Sequence, residues 1–591
     1  MDLTPVTAPV HGVVVNIDVS AGQSVPEGAP LLVLESMKME YVVVASVGGV
    51  VREIAVAPGE VVGEDDVLIS MEEWTVVAER EDAADAGPGE RPDLAEVLRR
   101  HEVGLDAARP DAVRRRRDTG HRTARENVAD LCETFTEYGA LAVAAQRARR
   151  SLDELIEKTP ADGLVAGIGD VNGRPAVVLA YDYTVLAGTQ GAMNHYKKDR
   201  MLELADRRRL PVVLFAEGGG GRPGDTDTTA ISGLDCMAFH LFARLSGQVP
   251  LIGIVTGRCF AGNAALLGCC DVVIATEDAN IGMGGPAMIE GGGLGVFAPE
   301  EIGPMAVQVP NGVVDVLVAD EAEAVRVAKR YLSYFQGPSP EEWRHAGQEA
   351  LRDLVPQDRK RIYDVRAVIE TVADTGSVLE LRPAYGLGIV TALARVEGMP
   401  VGLVANSPAH LGGAIDADDA DKMSRFMKLC DAFGLPLVSL CDTPGFMVGP
   451  EAERTATVRR FGRMFVTGAN LSVPLVMVIL RKAYGLGAQA MAGGSLKVPV
   501  ATVAWPTGEL GGMGLEGAVR LGYRRELAAA EDPDALFEEL VARSYERGKA
   551  LSAATVYEID DVIDPAETRH WIRTALRDVP RGERRIPLDT W

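Results

Sequence analysis

Lys38 stands between two methionines in the run Glu35-Ser36-Met37-Lys38-Met39-Glu40. An amine on a flexible four-carbon stem, held out in solvent, suits covalent attachment better than catalysis. As a lone residue it reads equally as a solvated turn lysine. A second kind of chemistry lies in two glycine-rich turns, residues 259–264 (CFAGNA) and 484–488 (YGLGA), each following a short apolar run. Backbone can approach a ligand closely where side chains are small. If a helix starts at such a turn, its unpaired N–H groups face the ligand and favour negative charge. An oxyanion held this way is stabilised by about 3–4 kcal/mol per donor. Taken singly, either turn reads equally as tight strand–helix packing.

The elements around these residues repeat. Residues 8–35 and 45–72 superpose at an offset of 37, taking Gly12 to Gly49, Gly22 to Gly59, Leu31 to Leu68 and Glu35 to Glu72. Each copy holds short Val/Ile-rich runs broken by Gly and Pro, which read as strands and turns. Two copies close into a small flattened barrel, with Lys38 at the tip of the hairpin between them. A larger duplication follows. GRPAVVLA (173–180) returns as GMPVGLVA (398–405), and LPVVLFAEGGGG (210–221) as LPLVSLCDTPGF (435–446). VPLIGIVTGRCFAGNAA (249–265) returns as VPLVMVILRKAYGLGAQ (473–489), and MIEGG (288–292) as GLEGA (514–518). Four ordered segments at offsets of 224–226 define two α/β halves of one design. Two such turns give two oxyanion holes, suited to a reaction between two carbonyl compounds.

Residues 1–72 are thus a carrier-like β domain, and 73–92, acidic and rich in Ala, Gly and Pro, a flexible linker. Residues 93–150 read as a helical lead-in, 151–335 as the first half, and 336–591 as the second half with a helical tail. The run Arg114–Arg117 reads as a solvated or subunit-contacting helical face. A net charge of −25 excludes nucleic acid or an anionic membrane surface as the main partner. Seven dispersed cysteines without a CxxC pair suit reduced thiols in a cytoplasm and give no zinc site or other metal site. The first residues lack a signal-peptide pattern, and no apolar run approaches the roughly 20 residues a bilayer requires. No convincing Ser/His/Asp or Cys/His set is present. His195 reads as structural or pocket-lining and Asp442 as a turn or cap residue. Arg222, Lys197 and Lys198 either meet phosphates or form a solvated face.

The Met-Lys-Met context resembles that of biotinyl domains. From roughly Arg114 to Arg569 the chain is similar to the carboxyltransferase subunit of biotin-dependent acyl-CoA carboxylases. The matching stretches are Thr123-Ala124-Arg125-Glu126, Tyr181-Asp182-Tyr183-Thr184-Val185, Asp442-Thr443-Pro444-Gly445-Phe446, Arg481-Lys482-Ala483-Tyr484-Gly485, Trp505-Pro506-Thr507 and Asp564-Pro565 with Thr568-Arg569. The resemblance implies an all-β biotinyl barrel-sandwich followed by two α/β crotonase-like ββα-spiral halves, with biotin covalently bound to Lys38. It implies oxyanion holes at Ala261 and Gly262 and at Leu486 and Gly487, and acyl selectivity at Gln489, and it leaves open whether the phosphates that Arg222, Lys197 and Lys198 could meet are those of CoA. The implied activity moves a carboxyl group from carboxybiotin to the α-carbon of an acyl-CoA, in fatty acid metabolism. Implied partners are a separate biotin carboxylase subunit, a biotin protein ligase, and further copies of the chain in a homohexamer. An acyl-CoA decarboxylase or transcarboxylase, and a non-catalytic carrier scaffold, are the rival readings. The chain departs from the family pattern at Ala261-Gly262-Asn263, at Gly485-Leu486-Gly487-Ala488 and at Glu217–Arg222, where Gly-Gly-Ala, Gly-Gly-Ala-Tyr and Ser-Gly-Gly-Ala-Arg types are usual.

Overall fold

The computed structural model describes residues 3–74, 91–222, 224–227, 233–339 and 342–585. Most of the linker expected over 73–92 lies outside the described residues. The chain forms two compact units, Met1–Ala95 and Glu96–Trp591.

The first unit has eight strands: β1 Leu3–Thr7, β2 Gly12–Ile17, β3 Ser24–Val25, β4 Pro30–Ser36, β5 Met39–Val44, β6 Gly49–Ile54, β7 Val61–Val62 and β8 Val67–Glu73. They make two four-stranded sheets, ordered β1-β8-β6-β3 and β5-β4-β2-β7. The 37-residue offset takes β2, β3 and β4 onto β6, β7 and β8. Each copy lends its short strand to the other's sheet, since β3 pairs β6 and β7 pairs β2. Leu31, Leu32 and Leu34 are fully buried, and so are their counterparts Leu68, Ile69 and Met71. Burying each such side chain contributes about 1.5–3 kcal/mol. Gly12 and Gly49 are equivalent in their constraint: a Cβ would lie 2.6 Å from the Glu35 carbonyl oxygen in one and 2.3 Å from that of Glu72 in the other.

In the second unit the first half is a seven-stranded sheet. An edge strand, Phe135–Glu137, pairs antiparallel with Leu164–Val171, which pairs antiparallel with Arg174–Tyr181. Parallel strands Val212–Phe215, Leu251–Val255, Val272–Thr276 and Val316–Val318 complete it. The second half repeats this order with Leu379–Leu381, Ile389–Val396, Met399–Asn406, Leu437–Thr443, Leu475–Tyr484, Ala501–Ala504 and Asp561–Val562. Strands buried on both faces read as continuous apolar runs, as in Val212–Phe215 and Leu251–Val255, where every residue is buried. Helices Ala192–Arg208 and Ala417–Phe433, each of 17 residues, occupy equivalent places and end in left-handed residues, Arg209 and Gly434. One core cluster contains residues of both halves, among them Ile274, Tyr331, Phe426 and Leu429.

The lead-in over 93–150 is helical only in part. Helices Pro92–Glu102, Pro110–Asp118 and Ala124–Leu131 are present, but Phe135–Glu137 joins the first half's sheet. Phe135 packs against the core from this edge strand rather than from a helical face.

Candidate active site

Strands β4 and β5 form a hairpin in register from Ser36 opposite Met39. The two residues at its tip are Met37 and Lys38, with φ of 53° and 67°. Two-residue hairpins favour this doubly left-handed turn because its twist matches the strands. Residues other than Gly and Asn occupy it at an expense of about 1 kcal/mol or more each. Lys38 is exposed and Met37 is 95% exposed. Lys38 takes no hydrogen-bond or ion-pair partner among the described residues. An amine free of partners on a fixed turn fits covalent attachment of biotin.

In each half of the second unit three segments converge on a helix start. The first is a left-handed turn. Leu186, Ala187 and Gly188 have φ of 48°, 53° and 62°, and their counterparts Leu411, Gly412 and Gly413 have 47°, 65° and 88°. The second is the loop leaving the strand at 212–215 or at 437–443. The third is the helix start at Gly262–Leu267 or Gly485–Met491. The same bridges tie them together. Gln190 pairs with Gly221 as Ile415 pairs with Phe446, and Gly218 pairs with Cys259 as Thr443 pairs with Ala483. Packing is tight enough that a Cβ on Gly487 would lie 2.7 Å from the Gly445 Cα.

Of the two residues expected at the first helix start, Ala261 has its amide already engaged and Gly262 does not. Ala261 has φ 51° and ψ −121°, and its N–H donates to the Gly282 carbonyl at 3.1 Å. It finishes the parallel pairing of Arg258–Phe260 with Asn280–Gly282 and turns its amide away from the opening. The amides of Gly262 and Asn263 have no acceptor among the described residues, and neither do those of Leu486 and Gly487. At an offset of 224, Ala261 matches Gly485, with φ of 51° and 57°. Gly262 and Asn263 are then the counterparts of Leu486 and Gly487. Each half presents two free donors at a helix start, the arrangement that holds a developing oxyanion.

The Asn263 side chain is turned inward. Its Oδ1 accepts from the Gly220 amide and from Gln190 Nε2, both at 3.1 Å. Gln190 Oε1 in turn accepts from Lys198 Nζ at 2.6 Å.

Lys198, Lys197 and Arg222 are not phosphate contacts. Lys198 is fully buried and also donates to the Tyr181 hydroxyl at 2.9 Å; burial pulls its ammonium down to about 7. Lys197 Nζ donates to the carbonyls of Ala161 and Leu164, and burial lowers it to about 8. Arg222 is held by the Asp162 carboxylate and donates to the Thr189 carbonyl at 2.9 Å. Their positive charge is spent inside the fold. Gln489 is exposed, one helical turn from Leu486, which is 61% exposed; residues three apart share a helix face. His195 Nδ1 lies 2.9 Å from Cys236 Sγ, and burial, with Lys198 and Arg222 nearby, lowers the imidazole to about 3.

Asp442 is neither a cap nor a turn residue. It is fully buried, and its Oδ2 accepts from the Tyr363 hydroxyl at 2.9 Å and from Arg481 Nε at 3.1 Å. Arg116, from the tetra-arginine run, is likewise not solvated. Its two terminal nitrogens donate to Glu217 Oε1 and Oε2 at 2.8 and 2.6 Å. Burial raises the Glu217 carboxyl against the pull of Arg116. Sequence patterning missed both pairs because their partners lie far apart along the chain.

Two α/β halves with matched oxyanion turns, preceded by a duplicated β domain with a lysine at its tip, define a crotonase-like group transferase with its own carrier. Comparison with known proteins gives the family. Residues 115–587 match the carboxyl transferase domain, and residues 4–71 match the domain described as biotin-requiring enzyme. The methylmalonyl-CoA carboxyltransferase 12S subunit of Propionibacterium freudenreichii subsp. shermanii is 35% identical over 78% of this chain and 90% of that protein. The biotin-dependent long chain acyl-coenzyme A carboxylase beta4 subunit of Mycobacterium tuberculosis is 32% identical over 82% and 93%. A solved single-chain, multi-domain long-chain acyl-CoA carboxylase superposes with a TM-score of 0.80 at 58% identity, over 97% of this chain. The present chain spans 56% of the length of that carboxylase. The solved transcarboxylase 12S, a hexamer, gives 0.74 at 32% identity over 84% of this chain and 98% of its own.

The chain belongs to the carboxyl transferase family, with a biotin-requiring domain fused ahead of the transferase. It is a biotin-dependent carboxyltransferase of the acyl-CoA carboxylase type, and its carrier domain holds biotin covalently. Among the described residues no helix is long and apolar enough to cross a membrane, and no group of side chains is arranged to hold a metal ion.

Proposed function

We propose that Lys38 carries the biotin and that the two helix starts receive the two reacting carbonyl compounds, so that a carboxyl group passes onto the α-carbon of an acyl-CoA. Bound biotin supplies that carboxyl group. The duplicated pair of free amides supports this reading: a single-substrate enzyme has no use for two matched holes. Gly262 and Asn263 hold one oxygen as negative charge grows on it, and Leu486 and Gly487 hold the other. Each donor contributes about 3–4 kcal/mol where water is excluded. Gln489, beside the second hole, selects among acyl groups by its contact with the chain that enters.

Loading the carrier calls for a separate biotin carboxylase and for a biotin protein ligase that modifies Lys38. The likeness to the hexameric 12S protein supports a homohexamer. The cysteines, all free, fit a cytoplasmic setting. The test is carboxylation of acetyl-, propionyl- and palmitoyl-CoA with ATP, labelled bicarbonate and a biotin carboxylase. Label in an acid-stable acyl product supports the proposal. No label from bicarbonate, with transfer to the carrier from a carboxyl-labelled acyl-CoA added in a parallel reaction, selects the transcarboxylase or decarboxylase direction, which the 35% identity to the 12S subunit favours as second reading. No label in any product, with Lys38 biotinylated, leaves a scaffold.

A further inference from the structure

The two holes are not built alike behind their amides. Glu217 and Asp442 occupy equivalent positions at an offset of 225, Glu217 two residues past the strand Val212–Phe215 and Asp442 next to last in the longer strand Leu437–Thr443. Both are buried, and each is held by a guanidinium. The guanidiniums come from different places. In the second half it is Arg481, on the strand Leu475–Tyr484 that runs into the hole. Tyr363, near the start of the second half, adds its hydroxyl. The counterpart of Arg481 in the first half, at an offset of 224, is Gly257. A Cβ on Gly257 would lie 2.2 Å from Glu217 Oε1. There the longer carboxylate fills the space, and Arg116 reaches in from the helix Pro110–Asp118, outside the repeated fold.

The backbone at Glu217 is tied to the first helix start, and the Asp442 carboxylate to the strand that leads into the second. The Glu217 carbonyl accepts from Asn263 Nδ2 at 3.4 Å, and the Gly218 amide donates to the Arg258 carbonyl at 2.8 Å. Asp442 Oδ1 accepts from the Lys482 amide at 3.1 Å. Three residues after Asp442, Gly445 lies against Gly487. We infer that Arg116–Glu217 and Arg481–Asp442 are separate positioning pairs, each setting the amide geometry of one hole and therefore the binding of one substrate. This rests on the two-hole reading above.

The test uses the full biotinylated chain with Glu217→Gln and Asp442→Asn. Two constants are read. One is the dissociation constant of whichever of acetyl-, propionyl- and palmitoyl-CoA the parent binds most tightly. The other is the KM for free biotin as soluble acceptor of the carboxyl group from the α-carboxylated form of that acyl-CoA, which is left as the acyl-CoA. Both variants lower kcat. Each raises one of the two constants about ten-fold and leaves the other within two-fold, and the two variants strike opposite substrates. Variants that move both constants, or neither, overturn the inference. Variants that both strike the same substrate overturn the two-hole reading instead. A second measurement separates positioning from general packing. Arg116→Ala loses about ten-fold in the same constant as Glu217→Gln. The triple change Arg116→Ala, Glu217→Asp, Gly257→Arg rebuilds the second-half arrangement in the first half and recovers that constant to within three-fold. A triple variant no better than Arg116→Ala, with an unchanged thermal midpoint, overturns the equivalence.

Discussion

Lys197 and Lys422 stand 225 residues apart and perform the same task. Lys197 Nζ donates to the carbonyls of Ala161 and Leu164, and Lys422 Nζ to those of Gly386 and Ile389, themselves 225 residues further on. Burial lowers both to about 8. A duplicated buried lysine that caps duplicated carbonyls is a feature of the fold and not of phosphate binding.

The pH dependence follows from that burial. Between pH 8 and the ordinary lysine value of 10.5, the folded chain binds fewer protons at these sites than the unfolded chain, so their contribution to stability rises with pH. Lys197→Met removes this rise and a donor to two carbonyls. The variant is less stable by about 2 kcal/mol at pH 10, and the gap narrows toward pH 7. Urea titrations of both chains at the two pH values check the sign.

Lys38→Arg keeps the charge and the exposed turn but removes the primary amine. The variant incorporates no biotin, as read by intact mass, and loses carboxylation entirely. Its oligomeric state by size-exclusion chromatography is unchanged.

Gly487→Ala places a methyl against the Gly445 backbone, 2.7 Å from its Cα. The second hole's amides move apart, and kcat falls by about 10²-fold, the loss expected for one misplaced oxyanion donor. Circular dichroism stays that of the parent.

Tyr363→Phe leaves Asp442 with Arg481 but one hydrogen bond short. A bond from hydroxyl to buried carboxylate contributes about 1.5–3 kcal/mol, and the denaturation midpoint falls accordingly.

Gln489→Ala shortens the side chain beside Leu486. Relative kcat/KM across the acyl-CoA panel shifts toward longer chains by about ten-fold, measured by competition between two thioesters in one reaction.

Both duplications were legible in the sequence, because buried strands repeat their apolar pattern and because Gly22 and Gly59 mark equivalent turns. The hairpin holding Lys38 was legible for the same reason. That Ala261 spends its amide on Gly282 was not legible, since the contact is set by strand pairing 21 residues away. The left-handed turn at Leu186–Gly188 carries one glycine where its counterpart carries two, so its composition gives no sign of its backbone. Arg116 lies among four consecutive arginines, of which it alone is buried. Helical periodicity decides that, not residue type. Glu217 and Asp442 looked like loop polar residues because their partners come from segments 101 and 39 residues distant.

The doubly left-handed turn of Met37 and Lys38 makes the tip of the hairpin a stiff post. Few torsional states remain to its backbone, so the searching motion belongs to the lysine stem and to what it bears. A surface that reads the tip meets one shape and need not spend binding energy on ordering it. On the proposal that Lys38 carries the biotin, the enzyme that attaches it and the site that receives its cargo see the same outline, and the domain passes from one to the other without refolding.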